Sequence, residues 1–501
     1  MTLSLPAHIQ AFLQPEAYPH PTQFIELLQT HISWVLLTGA FAYKFKKPVN
    51  FGFLDFSSLP RRKFYCEQEL RLNRRLAPDL YLEVSPVYAH AGAFSLTPTG
   101  DIVDYAVKMV QFDPSDLLDR HLNAGSFQAH WMDSLAHHIA QFHQHAEVVP
   151  PSSTSHATLL AEHIRENLRI AEQQLNHAVS RDELAKLNDF AKRELADQAE
   201  HLQWRGKTKH IRHCHGDLHL KNITLFRGKP TLFDCIEFND DFRLIDTMND
   251  VAFLLMDCDA HDRADLGFRF LSVYLESNPD IAGLHLLPLY LFYRAGVRGK
   301  VACMLADEQA EADRAPHWSE AQHYFHLALR YSQKNSPKLF AVGGFSGSGK
   351  SHLARLGCGM ERAIILRSDA IRFSLHTQKP EEARYSTSMS QLTYQTMFDQ
   401  AKAIIAAGFS VILDATFLHP QSRHELLALS EALKVPLHFF WLNVASDTLQ
   451  KRVAERSAAG DDISEADLRV LKMQLQHHQP PCEPWIQQIA TSDHWPNHTS
   501  C

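Results

Sequence analysis

Gly344-Phe345-Ser346-Gly347-Ser348-Gly349-Lys350-Ser351 reads G-x-x-x-x-G-K-S, a complete Walker A loop. It sits between a short apolar strand, Lys338 to Val342, and a helix beginning His352-Leu353-Ala354, which is the context such a loop requires. No other feature of the chain limits its fold as tightly. Glycines let backbone N–H groups converge on phosphate oxygens at a helix amino end. Lys350 then reaches the β/γ oxygens, and Ser351 offers a hydroxyl to Mg²⁺. Gly344, Ser346, Gly347, Ser348 and Gly349 are the expected cradle.

The residues around the loop continue the pattern. Ile364-Ile365-Leu366-Arg367-Ser368-Asp369 reads as a strand ending at an Asp, with Arg372 three residues on. Val411-Ile412-Leu413-Asp414-Ala415-Thr416 reads as a second buried strand ending in Asp. A long helical stretch, Ser390–Ala407, lies between them, so the alternation predicts a parallel sheet with a ligand crevice at its carboxyl edge. The S-D-x-x-R and D-A-T elements resemble the AAA-family group of small P-loop kinases that includes polynucleotide kinase, zeta toxin and gluconate kinase. That resemblance, over about 338–480, implies that Asp369 orients an acceptor hydroxyl and Arg372 grips acceptor or phosphate. It also implies that Asp414 is the Walker B-like carboxylate near Mg²⁺. Arg452 and Arg456 are one turn apart on a helix; they read either as a lid supplying transition-state charge or as a solvated basic face.

A second constellation lies far upstream. His215-Gly216-Asp217-Leu218-His219-Leu220-Lys221-Asn222 is followed, twelve residues on, by Asp234 at the end of Leu232-Phe233. A hydroxyl attacking phosphorus needs a carboxylate to orient it and take its proton, and the transferred group needs Mg²⁺ on oxygen ligands close by. Asp217 fits the first task; Asn222 and Asp234 fit the second. The Gly after the first His and the His two after the Asp resemble the aminoglycoside phosphotransferase and choline/fructosamine kinase branch of the protein-kinase fold. That resemblance covers roughly 25–330 and implies an ATP-phosphate Lys on a strand. Ala42-Tyr43-Lys44 fits, so Lys44 is preferred over Lys46 and Lys47, with solvent-facing lysines as the plain alternative.

Ser33 to Lys46 reads as a β-hairpin around Thr38-Gly39, without a G-x-G-x-x-G loop before it. Arg61 to Leu76 reads as a helix stopped by Pro78, with Tyr65, Glu69, Leu72 and Leu76 on one face. A carboxylate on an apolar face needs a partner. Lys44 is the candidate partner of Glu69, with Glu67 or a solvated Glu69 as alternatives. Lys108–Asp113 is the expected hinge, where Gln111 and Phe112 stand at the adenine position the resemblance implies. Residues 115–205 read as largely helical, with a break at 149–153. Asp250, opening an apolar helix, reads as a brace for the catalytic loop.

Composition narrows the class. A chain of 501 residues with 45% hydrophobic and 21% charged residues is an ordinary globular protein of two to four domains. Its net charge of −8 weighs against a nucleic-acid surface. The eight cysteines form no C-x-x-C, which suits free thiols in a reducing cytoplasm. Met1 to His20 shows no signal peptide, and Arg294, Arg298 and Lys300 interrupt the apolar run Leu284 to Leu305, so no membrane span is expected. The histidines around 137–145 read as the margin of an amphipathic helix rather than a metal site.

The expectation is an α/β and α+β protein. A two-lobed protein-kinase-like domain over 1–330 leads through a polar linker, 331–337, to a P-loop domain over 338–501. Each would bind ATP with Mg²⁺ and transfer phosphate to a small-molecule hydroxyl or amine. The alternative leaves catalysis, as an ATPase or a polynucleotide or nucleotide-sugar kinase, to the P-loop half, with the first domain a binding or regulatory module.

Overall fold

The computed structural model describes residues 5–52, 54–150, 155–380, 383–459 and 467–496, with the side chains of 456–459 excluded. The fold is mixed α/β, and the chain divides into two compact units. The first comprises Met1–Leu135, Phe142–Leu159 and Gln203–Leu254; the second comprises Ala136–Gln141, Leu160–Leu202 and Leu255–Cys501. The 331–337 connector lies inside the second unit, between a helix ending at Tyr331 and a strand starting at Leu339.

In the first unit, six described strands form an antiparallel sheet: β1 (Glu26–Gln29), β2 (Ser33–Leu37), β3 (Phe41–Lys46), β4 (Tyr81–His90), β5 (Ala93–Ser95) and β6 (Asp101–Val110), in the order β1-β2-β3-β6-β4-β5. β2 and β3 are the hairpin expected around Thr38-Gly39, with Leu37 opposite Ala42. Gly39 turns it at φ +95°, and the Thr38 hydroxyl donates to Phe41 O at 2.7 Å. Successive strand residues face opposite sides, so Tyr43 and Phe45 join Phe12, Trp34 and Leu36 in one core, while Ala42 packs with Leu37, Tyr81 and Met109 in another. The helix Leu59–Asn73, opened by Pro60, adds Cys66 to that second core. It begins two residues earlier than the sequence suggests and ends before Arg74.

Further along, β7 (Ile211–His213) runs into the H-G-D loop, and the hairpin β8 (Ile223–Phe226) and β9 (Lys229–Leu232) delivers Asp234. β10 (Leu244–Asp246) pairs with β7. Arg205 beneath them makes a fully buried pair with Asp246, at 2.5 and 2.7 Å.

The second unit holds the parallel sheet. β11 (Leu339–Gly344), β12 (Ala363–Arg367), β13 (Ser410–Asp414), β14 (Leu437–Leu442) and β15 (Ile486–Ile489) lie in the order β12-β13-β11-β14-β15. β11 is central and apolar throughout, as a strand covered on both faces must be. β12 is an edge strand covered by the helix Ala264–Ser277. The stretch expected as a strand ending at Asp369 instead leaves the strand at Arg367; Ser368 opens a helix to Gln378, and Asp369 stands in its first turn. Among the described residues, no helix is long and apolar enough to cross a membrane.

Candidate active sites

The residues of the H-G-D loop are held by backbone contacts that the sequence only hints at. Gly216 has φ +88°, and a Cβ there would lie 2.6 Å from Phe242 O, so the loop passes too close to its neighbour for a side chain. The N–H groups of His215 and Gly216 donate to the two carboxylate oxygens of Asp250, at 3.0 and 2.8 Å. Asp250 stands in the first turn of the helix Thr247–Ala260 and also meets His143 Nε2 at 3.1 Å. His143, Cys214 and Asp250 lie close together and buried. Asp250 thus bonds His143 and the two loop N–H groups, whereas Cys214 Sγ donates to Ile245 O at 3.5 Å. Burial lowers the pKa of His215, favouring a neutral ring. Its Nε2 then donates to Phe233 O at 2.9 Å and its Nδ1 accepts the Asp217 N–H at 3.3 Å.

This framing brings Asp217, Asn222 and Asp234 onto one loop–hairpin unit. Asn222 Nδ2 donates to Asp217 Oδ2 at 2.9 Å and to its carbonyl at 3.0 Å. His219 Nε2 lies 3.3 Å from the same Oδ2. The Phe233 N–H donates to Asn222 O at 3.0 Å, tying the residue before Asp234 to the loop. Asp234 is left-handed, at φ +62°, and its N–H donates to the Tyr81 hydroxyl at 3.1 Å. Left-handed backbone is tolerated by Asp better than by most residues.

Lys44 meets Asp234 at 2.5 Å and Glu69 at 2.9 Å, so the strand lysine, the helix glutamate and the hairpin aspartate converge. Lys46 is fully buried, 2.7 Å from Glu69 Oε2 and bonded to Glu237 Oε1. Burial alone would depress the Lys44 pKa; the carboxylates of Asp234, Glu69 and Glu237 overcome it and the net shift is upward. Burial likewise works against ionised Glu69, but the two lysines outweigh it and hold its pKa low. Burial raises the pKa of Glu237 despite Lys46. The sequence reading set Lys46 aside in favour of Lys44 and missed Glu237. The period of two along β3, which puts residues 44 and 46 on one face, was the available signal for Lys46; for Glu237, three residues beyond Asp234, no local rule existed. Gln111 follows the end of β6; its N–H donates to Ala40 O and its side chain accepts the Gly39 N–H at 2.8 Å, clamping the hairpin. Phe112 packs against Phe233 with the rings tilted by 58°, 5.1 Å between centroids.

The second site lies wholly in the second unit. Gly349 caps the helix Lys350–Met360 at φ +97°, and a Cβ on Gly347 would lie 2.8 Å from Val453 Cγ2. Gly344 stands at the end of β11, and Ser348 is fully buried. Ser351 Oγ donates to Asp414 Oδ2 at 2.6 Å, and Lys350 Nζ donates to Phe345 O at 2.9 Å. Asp414 ends β13, where burial raises its pKa against the opposing pull of Lys350 and Arg367.

Arg372 pairs with Asp369 at 3.0 Å and lies over the Tyr385 ring. Arg452 Nη1 lies 3.4 Å from Ser348 O; the side chain of Arg456 lies outside the described residues. Together Lys350, Asp369, Arg372, Asp414 and Arg452 line a cavity of about 390 Å³. Gln474, absent from the sequence reading, accepts the Ser346 N–H at 3.0 Å.

Comparison with known proteins matches both halves. Residues 55–287 match the phosphotransferase enzyme family, and residues 339–481 match an AAA domain. A gluconokinase from Sinorhizobium meliloti is 17% identical, covering 32% of this chain and 85% of its own, with a TM-score of 0.25. A choline/ethanolamine kinase family protein from Mesorhizobium loti is 13% identical, covering 65% and 99%, with a TM-score of 0.38. Over 450 residues, 88% of each chain, the sequence is 30% identical to "Uncharacterized protein Rv2004c" of Mycobacterium tuberculosis and equally to "Uncharacterized protein Mb2027c" of Mycobacterium bovis. The chain belongs to the family of these mycobacterial proteins, and in it a phosphotransferase-family segment precedes an AAA-domain segment, both kinase-like.

Proposed function

We propose that the chain is an ATP-dependent phosphotransferase with two sites, one in the 1–330 domain and one in the 338–501 domain, joined at 331–337. The observation that carries the first site is the convergence of Lys44, Glu69 and Asp234 beside the Asp217–Asn222 pair. Asp217 takes the proton of an acceptor hydroxyl or amine as its oxygen or nitrogen attacks the γ-phosphorus of ATP, and ADP leaves. Asn222 holds the Asp217 carboxylate in place. Lys44, fixed by Glu69, faces the ATP phosphates.

Asn222 and Asp234 present the oxygen donors that Mg²⁺ prefers, as do Ser351 and Asp414 in the second site. When bound, the ion neutralises phosphate charge and fixes phosphate geometry. In the second site the backbone of Gly344, Ser346, Gly347, Ser348 and Gly349 cradles phosphate, and Lys350 reaches its outer oxygens. Asp369 orients the acceptor, and Arg372 grips acceptor or phosphate. Arg452 and Arg456 supply charge from the lid side. Catalysis at both sites is positioning and electrostatics.

The test is transfer from labelled ATP into a pool of cell metabolites, by wild type, Asp217→Asn and Lys350→Ala in parallel, with products identified by mass spectrometry. Two products, each lost in one variant, are expected. A first-site product that survives Asp217→Asn at full rate would overturn the first assignment. Loss confined to Lys350→Ala would leave catalysis to the P-loop half alone.

A further inference from the structure

The Walker-type site does not end with the AAA-domain segment. The helix Ala264–Ser277, inside the phosphotransferase-family match, lies along the edge strand β12 within the same compact unit. An edge strand leaves N–H groups unpaired on its outer side, and something must satisfy them. Ser272 does so for Ile365: its Oγ accepts the Ile365 N–H at 3.0 Å and donates to Phe268 O at 2.7 Å.

One helical turn on, Glu276 Oε2 lies 3.7 Å from Arg367 Nη1, and Arg367 Nε lies 3.9 Å from Asp414 Oδ2. The spacing is commensurate. Four residues of helix rise about 6 Å and two residues of strand about 6.6 Å, so Ser272 and Glu276 meet Ile365 and Arg367 in step. All three charged side chains are largely buried: Glu276 is 11% exposed, Arg367 15% and Asp414 6%. The approach continues along the strand's amino-terminal side. Arg362 is bonded to Asp259 at 2.5 Å, and a Cβ on Gly359 would lie 2.4 Å from Asp265 Cβ.

We propose that Glu276, a residue of the phosphotransferase-family segment, is a positioning residue of the P-loop site, holding the Arg367 guanidinium off the metal-facing carboxylate of Asp414. This rests on the reading of Asp414 and Ser351 as the Mg²⁺ side of that site. Arg367 stands between two carboxylates at nearly equal distance. Removing the charge of Glu276 tips the guanidinium onto Asp414, where it competes with a divalent cation for the same oxygens. The P-loop site is therefore built from both family segments.

The test uses the full chain in an Asp234→Ala background, which removes a ligand of the other proposed metal site. Mn²⁺ binding is followed by electron paramagnetic resonance in the presence of a non-hydrolysable ATP analogue. Glu276→Gln is expected to weaken Mn²⁺ binding about ten-fold, as loss of a group that orients a metal ligand does. Affinity for the analogue without metal should be unchanged, and Glu276→Asp should recover part of the loss. Ser272→Ala, which breaks the neighbouring contact, should lower the unfolding midpoint and leave Mn²⁺ affinity as it was.

Unchanged Mn²⁺ affinity in Glu276→Gln overturns the proposal. So does an equal loss in Ser272→Ala, since loosened packing would then explain both. Lys350→Ala separates this from the reading beneath it: if the nucleotide-dependent Mn²⁺ site survives that change intact, the P-loop assignment itself fails.

Discussion

The carboxylate of Asp250 accepts the Gly216 N–H at 2.8 Å, one residue before the proposed catalytic Asp217. Its other oxygen takes the His215 N–H and meets His143, so one buried side chain sets the path of the loop. Asp250→Ala leaves those donors buried without an acceptor. The expected cost is about 3–5 kcal/mol, read from urea unfolding. Asp250→Asn keeps an acceptor oxygen and should cost less. A variant as stable as wild type would show that the loop is fixed by other contacts.

Glu69 links Lys44 and Lys46 in the first unit, and its pKa lies below that of a free glutamate. A carboxylate with a depressed folded pKa contributes stability above its unfolded value, about 4.3, and loses it as pH falls toward the folded one. Wild type should therefore lose stability steeply below about pH 4.5. Glu69→Gln should be less stable at pH 7 by about 3 kcal/mol, because two buried ammonium groups lose their shared partner. It should also show a flatter acid limb. Parallel urea midpoints from pH 7 to 3 decide; identical slopes would rule the pair out as a source of acid sensitivity.

Gly347 and Gly408 both have positive φ, +80° and +87°. Gly408 has nothing within 4 Å of an added Cβ, whereas at Gly347 the Cβ meets Val453 and Leu449 O. Alanine at either site should cost about 1–2 kcal/mol of backbone strain. Gly347→Ala should in addition weaken nucleotide binding by about ten-fold or more, since the loop cannot keep its cradle. Fluorescent-nucleotide titration of both variants provides the check, and equal affinities would show that the loop tolerates the clash.

Burial pushes the thiols of Cys66 and Cys235 up to about 12, and those of Cys214 and Cys258 well above the ordinary range. The thiolate is the reactive form, so these groups are inert at pH 8. Among the described residues Cys482 is the exposed cysteine. In a Cys501→Ser background, one fast-reacting thiol is expected with a chromogenic disulfide, and it should vanish in Cys482→Ser. Fast reaction of a second thiol would mean that the core opens far more readily than its packing implies.

The local motifs were legible from the residues alone. A glycine run ending in Lys-Ser between an apolar strand and a helix specifies a phosphate cradle, and apolar runs punctuated by helices specify a parallel sheet, because backbone sterics and periodicity act over a few residues. The hairpin at Thr38-Gly39 was readable for the same reason; at Asp250 only the helix-opening Asp was local, and the loop it braces lies 34 and 35 positions away. What depended on distant parts of the chain was not. Lys46 and Glu237 meet across 191 positions. Asp369 fell into a helical turn rather than a strand end.

The grouping of the helices after Leu255 with the P-loop sheet is likewise a tertiary outcome. An edge strand with unpaired N–H groups and an exposed apolar flank needs a cover, and the chain supplies it from the other family segment through Ser272 and Glu276. Sequence by itself determined the chemistry available at each loop. Tertiary structure decided which charges share a low-dielectric space, because burial and pairing depend on neighbours that no local pattern names.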